Sequence, residues 1–449
     1  MGKQTQVPVR LAFGLLAALA LCTLFQTPAL AAIQPAAPAF EPAAAPAVTA
    51  TGQQLIYTLP PAQLTQARAL YFWRTALDFV SPVWNILALL AILTFGWAAR
   101  LRDWAVSITP RKWLQGLCFA PLLLLLIGLL SLPPALVAHH VSLRYDQSVQ
   151  RWPSWFVDWA KGLAIDLLSG TLVLAILFAI IRRSRRWWLW FWVLTLPTQV
   201  FVIFVLPVVI DPLFNHFQPL DQTNPALVVQ LERVVAKTGI SIPPSRMFLM
   251  NASEKVTGSN AYVTGFGASK RVVVWDTTIK SSPTGEILFI FGHELGHYVL
   301  NHIQRGLLIG SALSLFFLWV GFHMAKFLVR RWGARWGIAS LEDWAAAALL
   351  LLVLGILSFL ADPVANVISR GQEHEADVFG EEVIHGLVAD PQTIAAQSFQ
   401  RLGEESLDYP DPNPFVVFWT YSHPPIAARE AFARGYDPWQ PGRHPRYFK

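Results

Sequence analysis

The stretch FIFGHELGHYVLNH, residues 289–302, sets two imidazoles, His293 and His297, four residues apart, with Glu294 directly after the first. On a helix, positions four apart stand one turn above the other on a single face, so both rings can reach one ion. Paired imidazoles of this spacing suit zinc, and the carboxylate beside them is placed to take a proton from a water that the ion activates. Ile290, Phe291, Leu295, Tyr298 and Val299 make this helix largely buried, where unpaired polar groups are costly. The chemistry such residues suit is metal-assisted hydrolysis.

A catalytic zinc takes a third protein ligand and keeps one position open. The extended HExxHxxGxxH arrangement is absent, because Leu300 and Ile303 stand where its glycine and third histidine would be. His302 falls roughly 140° around a continuous helix from His297, which leaves it for the surface or for supporting a ligand from behind. A carboxylate-rich stretch, ISRGQEHEADVFGEEV at 368–383, places Glu373 and Asp377 four apart. One of the two can ligate while the other accepts a hydrogen bond from the free ring N–H of a ligating histidine. Spacing alone leaves them interchangeable. Glu375 projects about 200° away from Glu373, and His374, Glu381 and Glu382 read as a solvated face.

These residues must be positioned by a chain built for lipid. Of 449 residues, 54% are hydrophobic and 14% charged, and the mean hydropathy is +0.43, the composition of a polytopic, mainly α membrane protein. Apolar runs near or above the roughly 18 residues that cross a bilayer fall at 79–99, 114–138, 163–181, 187–209, 307–328 and 344–361, which predicts six spans. Residues 1–32, with Lys3 and Arg10 ahead of an apolar segment and Ala29-Leu30-Ala31 near its end, read as a secretory signal peptide or, uncleaved, as a first transmembrane helix. The expected organisation is an Ala/Pro-rich linker over 33–68, a four-helix membrane bundle over 69–209, and a catalytic region with HELGH over 210–306. Two membrane helices over 307–361 and a C-terminal catalytic region over 362–449 complete it.

Within 210–306 the pattern is that of a water-soluble unit. Leu227, Val228, Leu231, Val234 and Val235 predict an amphipathic helix ending near Gly239. SRMFLM, NAYVTG and KRVVVWD predict short strands, the last two forming a hairpin across the GFGAS turn. Ser282 is expected to cap a helix that starts at Pro283 and carries Glu286 in its first turns.

Several function classes are disfavoured. The only cysteines, Cys22 and Cys118, lie in apolar segments and provide neither a disulfide framework nor a cysteine zinc site. The formal charge of +6 comes from clusters that adjoin span ends: Arg100, Arg102, Arg111 and Lys112; Arg182, Arg183, Arg185 and Arg186; Lys326, Arg330, Arg331 and Arg335. Such clusters mark cytoplasmic loops rather than a nucleic-acid surface, so no nucleic-acid partner is expected and the catalytic regions fall on the outer face. A transporter would pair ionisable residues within several spans, whereas Asp166 has few companions.

AYVTGFGASKRVVVWDT, HELGHYVLNH, SRGQEHEAD and YSHPPIAAR together resemble the integral-membrane zinc metallopeptidases related to CAAX prenyl protease 1, over roughly residues 70–435. The resemblance implies six or seven transmembrane helices around a chamber, and a zincin-like catalytic domain with a small β-sheet. It also implies one Zn2+ per chain. The family pattern S-R-x-x-E-x-x-A-D matches Ser369, Arg370, Glu373, Ala376 and Asp377, which implies Glu373 as the third metal ligand beside His293 and His297. Asp377 and Arg429 are then electrostatic or structural partners. Asn260, Ala261 and Tyr262 match the strand that pairs with an extended substrate peptide, and His423 matches a cleft residue able to stabilise an oxyanion.

The implied activity is that of a membrane-embedded zinc endopeptidase acting on membrane-associated or exported proteins, with Glu294 as general base. The alternatives are CAAX-type C-terminal processing of prenylated proteins, or a catalytically silent membrane scaffold. The partners are a peptide or protein substrate and the lipid bilayer, with the oligomeric state open. The eukaryotic relatives present this site to the cytosol. Here the charge bias and the signal-like start predict the extracytoplasmic side of a bacterial plasma membrane.

Overall fold

Apolar segments in a bilayer have no water to satisfy their peptide groups, so they must close their hydrogen bonds within helices. The computed structural model describes residues 57–205, 209–264 and 270–448. The signal-like segment, the Ala/Pro stretch up to residue 56 and the GFGAS turn lie outside the described residues. The membrane part comprises α1 (Pro61–Thr94), α2 (Trp97–Ile108), α3 (Lys112–Leu130), α4 (Leu132–Arg144), α5 (Trp152–Ile181) and α6 (Trp187–Val205). The polar part opens with β1 (Phe217–Pro219), α7 (Pro225–Lys237), β2 (Met247–Met250), β3 (Ala261–Thr264) and β4 (Arg271–Trp275), and continues into α8 (Thr284–Val299). Then follow α9 (His302–Trp336), α10 (Ala346–Ile384), α11 (Pro391–Ser406), α12 (Pro414–Thr420) and α13 (Ile426–Gly435).

Among the described residues, α1, α3, α5, α9 and α10 are long and apolar enough to cross a membrane. In the apolar run at 187–209, α6 takes up Trp187–Val205, 19 residues. Three boundaries differ from the expectation. Helix α1 starts at Pro61, within the stretch assigned to the linker, where proline's fixed φ suits a first helical position. The run 114–138 breaks at Ser131, because Pro133 and Pro134 have no N–H for the helical ladder and instead open α4. The span at 344–361 and the carboxylate stretch at 368–383 are one helix, the 39-residue α10.

Helix α10 joins membrane to chemistry. Its first turns, Ala346 to Leu349, are fully buried and sit in the bundle core with Phe119, Leu123, Leu174 and Phe178. An all-round apolar helix of this kind is surrounded by its neighbours. From Ala346 to Glu373 the helix runs roughly 40 Å at 1.5 Å per residue, more than the roughly 30 Å hydrocarbon core. The metal-ligand candidates therefore ride on a rod anchored in the bundle. At its other end, Asp343 pairs with Arg102, and Arg182 donates to the Glu342 carbonyl and stacks 4.3 Å from the Trp344 ring.

The sheet has strand order β1-β2-β4-β3, with β2 and β4 parallel and the other pairs antiparallel. The expected hairpin of β3 and β4 pairs Ala261 with Val274 and Thr264 with Arg271. Strand β3 is thus an edge strand, and it packs beside α8. Helix α7 buries all five of its expected apolar residues, and Gly239 follows it with φ of 69°, a left-handed position glycine reaches without strain. Helix α8 begins at Thr284 with Pro283 as its N-cap, so Ser282 does not cap it. Ser282 instead ends the short helix Asp276–Ser281, its N–H bonded to the Thr278 carbonyl.

Glu381 and Glu382, expected on a solvated face, are buried. The chain's C-terminal segment folds back over this turn of α10. Glu382 accepts hydrogen bonds from the Tyr436 hydroxyl and from the backbone N–H groups of Arg446, Tyr447 and Phe448, while Tyr447 and Phe448 pack on Phe379. Neither oxygen of Glu381 has a hydrogen-bond partner among the described residues. His374 is exposed as expected.

Candidate metal centre

Two helices make the centre by crossing at very short range. A Cβ on Gly380 of α10 would fall 2.9 Å from the His293 nitrogen, and one on Gly292 of α8 would fall 2.5 Å from Val383 Cγ1. Glycine at both positions is what lets the backbones approach. The crossing brings His293 Nε2 within 3.2 Å of His297 Nε2, and within 3.3 Å of Glu373 Oε2. His297 Nε2 lies 3.4 Å from Glu373 Oε1.

These spacings test whether a metal fits. Donors about 2.0–2.1 Å from a tetrahedral zinc stand roughly 3.3–3.4 Å from one another. The two Nε2 nitrogens stand 3.2 Å apart, and each lies 3.3–3.4 Å from an oxygen of Glu373, His293 from Oε2 and His297 from Oε1, close to that figure. Glu373 Oε2 is also a buried oxygen with no hydrogen-bond partner among the described residues, as suits a metal ligand. Among the described residues, His293, His297 and Glu373 form the group able to hold a metal ion.

Asp377, which spacing left equivalent to Glu373, faces away from that cluster. Its Oδ1 lies 2.8 Å from His293 Nδ1, the ring nitrogen on the far side from Glu373. Arg429, carried by α13, grips Asp377 with two bonds, Nε to Oδ2 at 2.9 Å and Nη2 to Oδ1 at 2.5 Å, and lies 3.7 Å from Glu373 Oε2. Its guanidinium sits 4.5 Å from the centre of the Phe399 ring. His423, in the turn between α12 and α13, brings its Nε2 to 3.1 Å from Glu373 Oε1.

Glu294 is partly exposed beside the cluster. Burial pushes its carboxyl up to about 7, partly offset by His293. Asn260 is buried just ahead of β3, and its backbone is clamped by the Thr278 hydroxyl, which takes its N–H at 2.6 Å and donates to its carbonyl at 2.7 Å. Asn260 Oδ1 has no hydrogen-bond partner among the described residues. Ala261 turns into the core shared with α8, whereas Tyr262 turns to the opposite sheet face, where its hydroxyl bonds Asp211.

His302 is buried, not on the surface. The 140° offset assumed one continuous helix, but α8 ends at Val299 and α9 starts at His302, with Asn301 between them at φ 57°. The turn returns the imidazole to His297, Nδ1 to Nδ1 at 3.0 Å, while His302 Nε2 meets Glu375 Oε2 at 3.0 Å. The sequence signal for this break is the asparagine itself, which tolerates the left-handed conformation.

Known proteins share these features. The family model described as Peptidase family M48 matches residues 221–437, and the one described as CAAX prenyl protease N-terminal, five membrane helices, matches residues 47–216. The uncharacterized metalloprotease YhfN of Bacillus subtilis is 34% identical over 372 residues, covering 83% of this chain and 85% of its own. CAAX prenyl protease 1 of Saccharomyces cerevisiae is 26% identical over 331 residues, 70% of this chain and 71% of its own. The crystal structure of S. mikatae Ste24p superposes with a TM-score of 0.73 at 20% identity, over 96% of this chain and 98% of that one, and so shares the fold. Matched along most of its length, the chain belongs to peptidase family M48, as an integral-membrane zinc metallopeptidase related to CAAX prenyl protease 1.

Proposed function

We propose that this peptidase holds one zinc ion per chain on His293, His297 and Glu373 and cleaves peptide bonds of membrane-associated or exported proteins at the extracytoplasmic side of a bacterial plasma membrane. The observation that carries the reading is the convergence of two Nε2 nitrogens, 3.2 Å apart, on the buried Glu373 carboxylate, His293 at 3.3 Å from Oε2 and His297 at 3.4 Å from Oε1. A zinc ion held by these three residues would supply Lewis-acid chemistry, polarisation of the scissile carbonyl and acidification of the attacking water. Glu294 takes the proton from that water and delivers it to the leaving amine. Burial holds the His423 imidazole below its usual pKa, so at neutral pH it is an uncharged N–H donor, suited to the oxyanion as charge develops there. Asp377 and Arg429 orient His293. The edge strand β3, with Asn260, Ala261 and Tyr262, offers its backbone to an extended substrate, and side chains need not point into the cleft for that pairing.

The test is zinc content and hydrolysis of peptides by the purified protein in detergent. One zinc per chain with cleavage of unmodified peptides is expected. A protein that carries zinc yet cleaves no peptide points to the scaffold alternative. His423→Ala is expected to lower kcat by about 10²–10³-fold with zinc retained, and an unchanged kcat removes His423 from the mechanism. CAAX-type processing is the second reading, favoured by relatives named CAAX prenyl protease 1 homolog, such as that of Oryza sativa at 31% identity. Cleavage confined to prenylated C-terminal peptides would select it.

The orientation rests on charge. Arg102 and Arg182 from two basic clusters meet the 337–343 segment at the far end of α10 from Glu373. Cysteines introduced at exposed Glu232 and Arg185 read the two sides. An impermeant maleimide on intact cells is expected to label Glu232→Cys and to reach Arg185→Cys only after lysis. The reverse pattern places the chemistry in the cytosol.

A further inference from the structure

The metal-facing atoms of the two histidines are their Nε2 nitrogens, 3.2 Å apart and turned to Glu373. A neutral imidazole carries one N–H, so a lone pair at Nε2 requires the proton on Nδ1, and a buried N–H needs an acceptor. For His293 the acceptor is Asp377, at 2.8 Å. For His297, among the described residues, Nδ1 meets another imidazole nitrogen, His302 Nδ1 at 3.0 Å, with the rings inclined at 75°. To accept there, His302 must keep a lone pair on Nδ1 and carry its own proton on Nε2. That nitrogen lies 3.0 Å from Glu375 Oε2, a carboxylate that can only accept when ionised. Arg305 Nη1 holds the same oxygen at 2.7 Å, and Arg446 lies 3.7 Å from the other. Only one direction of donation satisfies every link. The His302 side chain is 1% exposed, so solvent does not stand in for it.

From this geometry we infer that His302 and Glu375 are positioning residues of the metal site. Glu375 sets the tautomer of His302, and His302 sets the tautomer and ring orientation of His297, leaving the His297 Nε2 lone pair free for zinc. The two ligating histidines are thus supported unequally, one by a carboxylate directly and the other by a carboxylate acting through an imidazole. Partners of this kind raise metal affinity and fix ligand orientation. The break at Asn301 is what makes the arrangement possible, since an uninterrupted α8 would carry residue 302 away from residue 297. The relay rests on the reading that His293, His297 and Glu373 are the zinc ligands.

Zinc affinity tests it, measured on full-length protein in detergent by competition with a chelator at fixed pH, with thermal melting of the zinc-saturated variants as a check on folding. His302→Phe keeps the ring's bulk and removes its acceptor; Glu375→Ala removes the terminal acceptor at a partly exposed position. Each is expected to weaken zinc binding about 10–100-fold. Glu375→Gln keeps an amide oxygen able to accept from His302 Nε2–H and is expected to stay within about threefold of wild type. Wild-type affinity in both His302→Phe and Glu375→Ala overturns the relay. Equal losses in Glu375→Ala and Glu375→Gln overturn it too, because they assign the effect of Glu375 to charge alone. Wild-type protein that takes up no zinc, or Glu373→Ala that keeps it, overturns the ligand assignment instead, a distinct failure.

Discussion

Glutamine in place of Glu294 is expected to cut kcat for peptide hydrolysis by about 10²–10⁴-fold while leaving zinc bound, the range attributable to one general acid–base group. The substitution preserves shape and removes only the ability to take up a proton. Glu294 stands outside the three-donor cluster, so the metal keeps all its proposed ligands. Burial pushes the Glu294 carboxyl up to about 7, near the pH at which a base is both ionised and proton-seeking. The positive charge of a bound ion draws it lower. A base works when ionised, so kcat/KM should fall as pH drops through a value at or below about 7. In Glu294→Gln that acidic limb should disappear from the residual activity. The measurement pairs a pH profile of kcat/KM with zinc analysis of the same preparations. Loss of zinc together with activity would reassign Glu294 to holding the metal.

The second large effect is structural. Arg429→Met is expected to destabilise the protein by about 3–5 kcal/mol, the usual cost of removing one member of a buried ion pair. Arg429 and Asp377 are each 2% exposed, and the guanidinium makes two of the carboxylate's hydrogen bonds. Without it, Asp377 keeps only His293 among these partners, and Glu373 loses its nearest positive charge from an arginine. Arg429→Lys should rescue little, because an ammonium cannot reproduce the two-pronged grip. A double variant with Asp377→Leu and Arg429→Met should recover part of the stability, since two apolar groups cost less than one orphaned charge. It should not recover activity, because His293 Nδ1–H then lacks its acceptor. Thermal melting in detergent reads the first effect, and a melting temperature unchanged in Arg429→Met would sink the account.

Much of this architecture was legible in one dimension, and the limits of that legibility have a physical pattern. Helical periodicity is a local property. It sufficed to put His293 and His297 on one face, to list the five buried residues of α7, and to mark the apolar runs that became α1, α3, α5, α6, α9 and α10. Proline positions could also have been read locally, and the break at Ser131 is visible in Pro133 and Pro134 once their missing N–H groups are counted.

Other features depend on residues far apart in the chain. Spacing could not separate Glu373 from Asp377, because both project from the same face of α10. What separates them is where α8 crosses and where α13 returns. Glu373 meets two Nε2 atoms, whereas Asp377 meets His293 Nδ1 and an arginine 52 residues downstream. Glu382 reads as solvated until the last residues of the chain cover it. His302 reads as misplaced until Asn301 turns the chain back and its Nε2 meets Glu375 Oε2, 73 residues on, at 3.0 Å. The sequence by itself determined the helix that carries the paired histidines, the membrane spans and the charge asymmetry, since each follows from periodicity, run length or composition. The tertiary structure decided which carboxylate meets the paired Nε2 nitrogens, which histidine stands behind His297 and which acids are buried, because those are contacts between helices whose crossing no local pattern encodes.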